Sequence, residues 1–348
     1  MEKVLKSLKK DKSRDPNGWI NELFQDEVAG EDLKRSMLNL FNKIKADNYI
    51  PEFIRKADIT TIYKGKGENC YLKIFRSILM RLIYIDKYPE IDQSMSDSQV
   101  GGRKGKNVRN HIWIVNGIIS DVLSTKRKTP IDIQIFDYKQ CFDSLWLQEC
   151  MNDIYSGGLT DDKFALLHSA NKSVNVAVKT PVGKTSSETI EDVVMQGDVF
   201  APLLCSKLVD RIGQECLEDK KYNYLYKGEV EIPPLGMVDD LICIAECGFK
   251  TAMLNAYIKL KTNSKRLQFG YKKCKKMHVG KYCESFKCKC LKVDSWEETN
   301  VKNEDTNEDS IEDCWKGEEK MEEVSEDKYL GDIISNDGRN LKYQSKEK

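Results

Sequence analysis

A chain of 348 residues, 40% hydrophobic and 32% charged, is long enough for a large buried core in two or three subdomains, and its 56 basic and 56 acidic residues cancel at neutral pH. This is the composition of a globular protein, and no apolar run reaches the length needed to span a bilayer. The charged amino end, MEKVLKSLKKDK, lacks the apolar centre of a secretory leader, so the expected location is intracellular, cytoplasm or nucleus, with the twelve cysteines kept as free thiols.

In chain order, residues 32–46 carry apolar positions at helical spacing (Leu33, Met37, Leu38, Leu40, Phe41, Ile44) and predict an amphipathic helix closed near Pro51. ADITTIY (57–63) predicts a strand that runs into the basic turn Lys64, Gly65, Lys66, Gly67. Helices are expected over 74–85 and 111–123, the second preceded by QVGGRKGKNVR. IDIQIF (131–136) is strand-like and leads straight into Asp137. Helices follow over 146–155 and 161–170, then a polar-tipped hairpin around Gly183 within 174–194 and a helix over 202–218. LGMVDDLICIAE (235–246) reads as a hairpin with Asp239 and Asp240 at its tip, followed by a helix over 250–261 and a late strand, KYLGDIIS (328–335), turning at 336–338. The sum is an α+β plan with a central antiparallel sheet and no internal repeat.

The net charge hides a partition. Residues 261–290 carry ten Lys or Arg against the single acid Glu284, whereas 291–330 carry fifteen Asp or Glu against five Lys. The basic stretch suits a polyanion-binding face, and the acidic one, poor in apolar anchors, reads as a flexible insertion over 291–327; the two segments could also neutralise each other.

Adjacent aspartates inside an apolar run repel each other and are costly to bury without a partner. Water at a turn tip is one partner; a divalent cation held between the carboxylates is the other. If the 131–136 strand lies beside the hairpin, Asp137 joins Asp239 and Asp240 at one sheet end, a hard-oxygen set that suits Mg²⁺ and the two-ion clamp used in nucleotidyl transfer. Gln196 and Gly197, in MQGDVFAPLLC just before a helix, offer backbone that a planar ligand can approach closely. No GxxxxGK[ST] phosphate loop is present. Cys274, His278, Cys283, Cys288 and Cys290 follow a spacing that fits no compact zinc site, so thiols are the default reading there.

Eight stretches in a fixed order resemble the reverse transcriptase domain of non-long-terminal-repeat (LINE-like) retrotransposons over nearly the whole chain: DPNGWINELF (15–24), ADITTIYKGKG (57–67), SDSQVGGRKGKNVRNHI (96–112), FDYKQCFD (136–143), QGDVFAPLL (196–204), MVDD (237–240), FGYKKCKKMHVGK (269–281) and KYLG (328–331). The resemblance implies an RNA-directed DNA polymerase with a right-hand fold, divided into a fingers-like region (1–128), a palm (129–290), the acidic insertion (291–327) and a terminal strand with the start of a thumb (328–348). It implies two Mg²⁺ ions, with Mn²⁺ as the alternative, held by Asp137 and Asp239 with help from Asp240, and Lys273 as the acid toward the leaving pyrophosphate. Phe142 would reject a ribose 2′-hydroxyl, Gln196 and Gly197 would line the nascent base pair, and Lys64, Lys66, Arg76 and Arg103 would lie toward template or incoming triphosphate. Partners would be an RNA template, a DNA primer and deoxynucleoside triphosphates, with no membrane.

Met237 stands where the family has an aromatic residue and Cys141 where it has alanine; neither is a metal ligand. Where the family continues from its basic turn into an Asn-Tyr-Arg-Pro-Ile-like segment, GENCYLKIFRSILMRLIY is shortened and keeps Arg76, in IFRSIL, nearest the place of the family's arginine. That shortening and the small thumb open a second reading, a truncated retroelement remnant that binds RNA without catalysis.

Overall fold

The computed structural model describes residues 5, 8–12, 14–25, 28, 30–63, 70–76, 89–124, 129–180, 182–192, 194, 200–218, 223–280 and 321–339. Its strands are β1 (Lys56–Tyr63), β2 (Cys70–Arg76), β3 (Ile131–Phe136), β4 (Ser173–Thr180), β5 (Gly183–Lys184), β6 (Glu188–Glu191), β7 (Tyr224–Tyr226), β8 (Val230–Ile232), β9 (Leu235–Met237), β10 (Asp240–Glu246), β11 (Lys275–Val279), β12 (Glu322–Glu323), β13 (Glu326–Tyr329) and β14 (Asp332–Ser335). The longer helices, Glu31–Asp47, Val108–Ser124, Leu147–Ser156, Asp161–Lys172, Ala201–Glu218 and Cys247–Ser264, fall where apolar residues recur at helical spacing. Helix Glu31–Asp47 begins with Glu31 and Asp32 at its positive end. It stops at Asn48, whose left-handed φ of 50° lets its amide bond back to Ile44. None of the described helices is long and apolar enough to cross a membrane.

The α+β chain divides into two compact units, each made of two stretches: Met1–Met95 with Phe142–Leu208, and Ser96–Cys141 with Val209–Lys348. In the first unit the sheet order is β2-β1-β4-β5, with β6 also paired to β4; β1 runs antiparallel to β2 and parallel to β4. Ala57, Val174 and Val176 are buried together, with Ile59 and Ile190 packed against them. Asp58, 2% exposed, is held by Lys179 at 2.9 Å and Lys184 at 2.8 Å. The helix expected from residue 74 is corrected here. Ile74–Ile59 and Phe75–Asp58 are cross-strand pairs of β2 and β1, because β-branched and aromatic residues gain more from an adjacent strand edge than from a helix. Residues 77–88 of that expectation lie outside the described residues.

In the second unit the sheet order is β12-β11-β3-β10-β9, antiparallel except for the parallel pair β11 and β12. All six residues of central β3 are buried. Alternation sends Ile131, Ile133 and Ile135 into the main core with Ile242 and Ile244 of β10, Met277 and Val279 of β11, and Ile112, Val115 and Ile119 of helix Val108–Ser124. The opposite face takes Asp132 and Gln134. Asp132 is satisfied by His278 Nδ1 and Thr251 Oγ1, both at 2.8 Å, and by Lys276 at 3.5 Å.

The late strand is also corrected. It is a hairpin, β13 with β14, turning at Leu330 and Gly331, whose φ values of 50° and 97° suit a tight two-residue turn that glycine makes easy. Tyr329 and Ile334 from this hairpin complete the core. Of the expected acidic insertion, residues 291–320 lie outside the described residues, whereas Glu322–Glu323 pair with β11 and Val324 packs on the core.

His111, on the buried face of helix Val108–Ser124, is 2% exposed. Burial pushes its imidazole from 6.5 down to about 4, against a weaker opposing pull from the Ser98 backbone. The unfolded chain binds this proton near 6.5 and the folded one does not, so stability is lost as pH falls from 6.5 to 4, by up to about 3 kcal/mol. Urea midpoints measured at pH 7, 5.5 and 4.5 should fall less steeply in His111→Gln than in the wild type.

Candidate active site

β3 and β10 are registered with Phe136 opposite Leu241, so one further step places Asp137 and Asp240 at the same sheet end. β9 and β10 turn over two residues, Val238 and Asp239, with Met237 paired to Asp240. The local pattern explains the placement: apolar strand residues continue up to each acid, and the chain turns polar where the sheet ends.

The charges feel one another. Burial raises the Asp239 carboxyl above its ordinary range, and the Asp137 charge adds to the rise, while Lys273 opposes it. Burial also pushes Asp240 up to about 6, with Asp239 and then Asp137 adding repulsion. The phenol of Tyr329, in the KYLG stretch, is pushed upward by burial and by the nearby Asp240 charge. Lys273 supplies the counter-charge, its Nζ lying 3.0 and 3.3 Å from the two oxygens of Asp137.

The FGYKKC stretch forms the seat around Asp137. The Gly270 amide donates to the Asp137 carbonyl at 2.8 Å and the Lys139 amide to the Gln268 carbonyl at 2.8 Å, joining the two segments as an antiparallel bridge between Tyr138 and Phe269. The Phe269 ring lies 4.9 Å from both Phe136 and Tyr138. A side chain at position 270 would place its Cβ 3.1 Å from Asp137 Oδ1, so this glycine permits the close approach. Buried Cys274 accepts from the Asp137 amide at 3.4 Å, and burial raises its thiol to about 11, the range of an unreactive thiol.

Asp137, Asp239, Asp240 and Lys273 are therefore brought together in the second unit. Arg103 also belongs to that unit, but its guanidinium Nη1 donates to the carbonyls of Ser96 and Gln99, inside its own loop. Phe142 falls in the first unit, half-buried in the short helix Cys141–Ser144. Arg76 closes β2. Lys64, Lys66, Gln196 and Gly197 lie outside the described residues, as do Cys283, Cys288 and Cys290. Among the described residues, no group of three or more His, Cys, Asp or Glu side chains is assembled to hold a metal ion.

The sequence profile described as reverse transcriptase (RNA-dependent DNA polymerase) matches residues 68–334. The chain belongs to the reverse transcriptase family. The match spans both aspartate segments, the FGYKKC seat and the KYLG hairpin. In this family nucleotidyl transfer proceeds in general with two Mg²⁺ ions. The donor chemistry fits such ions: Asp137, Asp239 and Asp240 offer only hard carboxylate oxygens, and burial, with repulsion from the neighbouring acids behind it, raises the carboxyls of Asp239 and Asp240.

Gln99, Gly270, Cys274 and Tyr329 join the site although their residue types alone do not mark them; all four stand inside the stretches 96–112, 269–281 and 328–331, and the glycine after an aromatic at 270 is the clearest local signal.

Because the folded state holds Asp240 at about 6 against an ordinary 3.8, it takes up a proton that the unfolded chain does not as pH falls between those values. Ionised Asp240 therefore lowers stability above pH 6. In the presence of a chelator, Asp240→Asn should be more stable than the wild type at pH 8 by about 1–2 kcal/mol after allowance for solvent screening. The difference should shrink to nothing near pH 4. Urea unfolding at pH 8, 6 and 4 reads it.

Proposed function

We propose that this chain is the RNA-directed DNA polymerase domain of a non-long-terminal-repeat, LINE-like element, adding deoxynucleotides to a primer 3′-hydroxyl on an RNA template. The observation that carries the reading is the meeting of Asp137 with the Asp239–Asp240 hairpin at one end of an antiparallel pair, in a chain of the reverse transcriptase family. In the right-hand description, residues 129–290 correspond to the palm, 1–128 to a fingers-like region, 291–327 to an acidic insertion whose end carries β12 and the start of β13, and 328–348 to the segment that begins a thumb.

Asp137 and Asp239 would hold two Mg²⁺ ions, with Asp240 assisting. Bound there, the ions would lower the charge on the attacking and leaving oxygens and hold them in line. Lys273, whose ammonium pairs with Asp137 and is 71% exposed, would give a proton to the leaving pyrophosphate and be left as the neutral amine. Phe142 would select against the 2′-hydroxyl. Gln196 and Gly197 would line the nascent pair, and Arg76, Lys64, Lys66 and Arg103 would meet phosphate, contacts that position nucleic acid without reading its sequence.

The second reading, an RNA-binding remnant without catalysis, draws on the same Lys273–Asp137 ion pair, which neutralises the acid with no further partner. Primer extension on an RNA template with the purified full chain separates the two. Asp137→Asn and Asp239→Asn should each lower extension by about 10³-fold or more with the circular dichroism spectrum unchanged. Asp240→Asn should lose about tenfold and Lys273→Ala about 10²-fold. An extension rate equal in wild type and Asp239→Asn would remove the polymerase reading.

The basic 261–290 stretch generates a separate expectation. Affinity for an RNA–DNA duplex should fall as salt rises and depend little on sequence, because neutralising phosphates releases counterions. A flat salt titration would assign those lysines another role.

A further inference from the structure

The turn that carries Asp239 contains an unfavourable residue. Val238 has a φ of +59°, a conformation that β-branched residues rarely adopt. Position Val238 is the first of two turn residues, where a positive φ is ordinarily supplied by glycine. Such a backbone costs roughly 1–3 kcal/mol and persists only where surrounding structure fixes it.

Gln99 provides that fixation. Its Oε1 accepts from the Val238 amide at 2.9 Å and from the Gly101 amide at 2.9 Å, and its Nε2 faces the Val238 carbonyl at 3.4 Å. One carboxamide thus addresses both backbone groups of the strained residue. Gln99 is 1% exposed, so these bonds are shielded from competing water.

The neighbours are shaped around it. A Cβ at Gly101 would come within 2.4 Å of the Val238 nitrogen, and one at Gly236 within 2.8 Å of Gln99 Nε2, so both positions require glycine for the amide to reach the turn. The backbone beside Gln99 is tied to the same hairpin: Gly236 donates to Ser98 at 2.8 Å and Val100 to Gly236 at 2.9 Å. The loop is anchored in turn by buried Asp210, which accepts from the Ser96 amide at 3.1 and 3.2 Å, and by Arg103, which donates to the Ser96 and Gln99 carbonyls.

We propose that Gln99 is a positioning residue for the acid pair: its side-chain amide holds Val238 in the left-handed conformation and thereby sets where Asp239 and Asp240 present their carboxylates. The role in nucleotide addition rests on the polymerase reading above; the hold on the turn does not.

Four forms of the full chain decide it: wild type, Gln99→Ala, Val238→Gly and the double variant. Hydrogen exchange should show the Val238 amide at least about tenfold less protected in Gln99→Ala, the loss expected for one buried hydrogen bond, while amides of β3 and helix Val108–Ser124 keep their protection. Mn²⁺ affinity, followed by electron paramagnetic resonance without substrate, should weaken about tenfold in Gln99→Ala and recover at least partly in the double variant, because glycine adopts a positive φ without a clamp. The extension kcat should follow the same order, with the nucleotide KM little changed. Unchanged Val238 exchange in Gln99→Ala overturns the proposal, as does a Mn²⁺ affinity that falls in Gln99→Ala and gains nothing from the second change. A wild type that extends no primer defeats the polymerase reading alone, since the exchange and Mn²⁺ comparisons still decide whether Gln99 holds the turn.

Discussion

Like charges held close together in a partly dry place are the constraint from which the second unit follows. The register of β3 against β10 puts acids at one sheet end, and half-burial denies them the water that would screen their repulsion. Left alone, such an end would splay. Each local feature opposes that outcome: the Lys273 ammonium on Asp137, the aromatic and backbone bridge from 268–270, the Gln99 amide on the hairpin turn, and the Tyr329 hairpin packed into the core.

Two aspartates on one strand show how environment divides labour. Asp132 points into a closed polar layer and has His278, Thr251 and Lys276 to satisfy it, a structural acid with its hydrogen bonds accounted for. Asp137, one residue past the strand end, has one exposed lysine and its own backbone contacts. The acid that is fully satisfied is locked in place. The other is paired at its carboxylate with one exposed ammonium, that of Lys273.

Much of this was legible in the sequence. IDIQIF followed by Asp137, and the two aspartates in LGMVDDLICIAE, located the strand pair and the acids, because a two-residue period and a polar break are local signals. The helices were legible for the same reason. The segment 74–76 is ambiguous by itself, since Ile74 and Phe75 occur in helices and strands alike, and the pairing with β1 decides it. The late hairpin reads as one strand in the sequence because its turn depends on a positive φ at Leu330, which leucine does not advertise. Gln99 was invisible as a partner of Val238, since a side-chain-to-backbone bond across 139 positions leaves no periodic trace. The composition of the units from separated stretches is likewise a property of long-range pairing.

That long-range pairing has a consequence for how the protein comes into being. β3 is the middle strand of its sheet, yet both of its neighbours, β10 and β11, are encoded far downstream, and the core they share is closed only by Tyr329 and Ile334. In the first unit Lys56 likewise waits for Asn175. At ordinary ribosomal speeds β3 spends roughly five to twenty seconds with two unpaired edges and an isoleucine-rich face before β10 is made, and one edge stays open until β11 follows. An unpaired apolar strand is a template for pairing with another chain. Whatever shields residues 131–136 in that interval therefore bears on how much of the chain reaches the finished sheet.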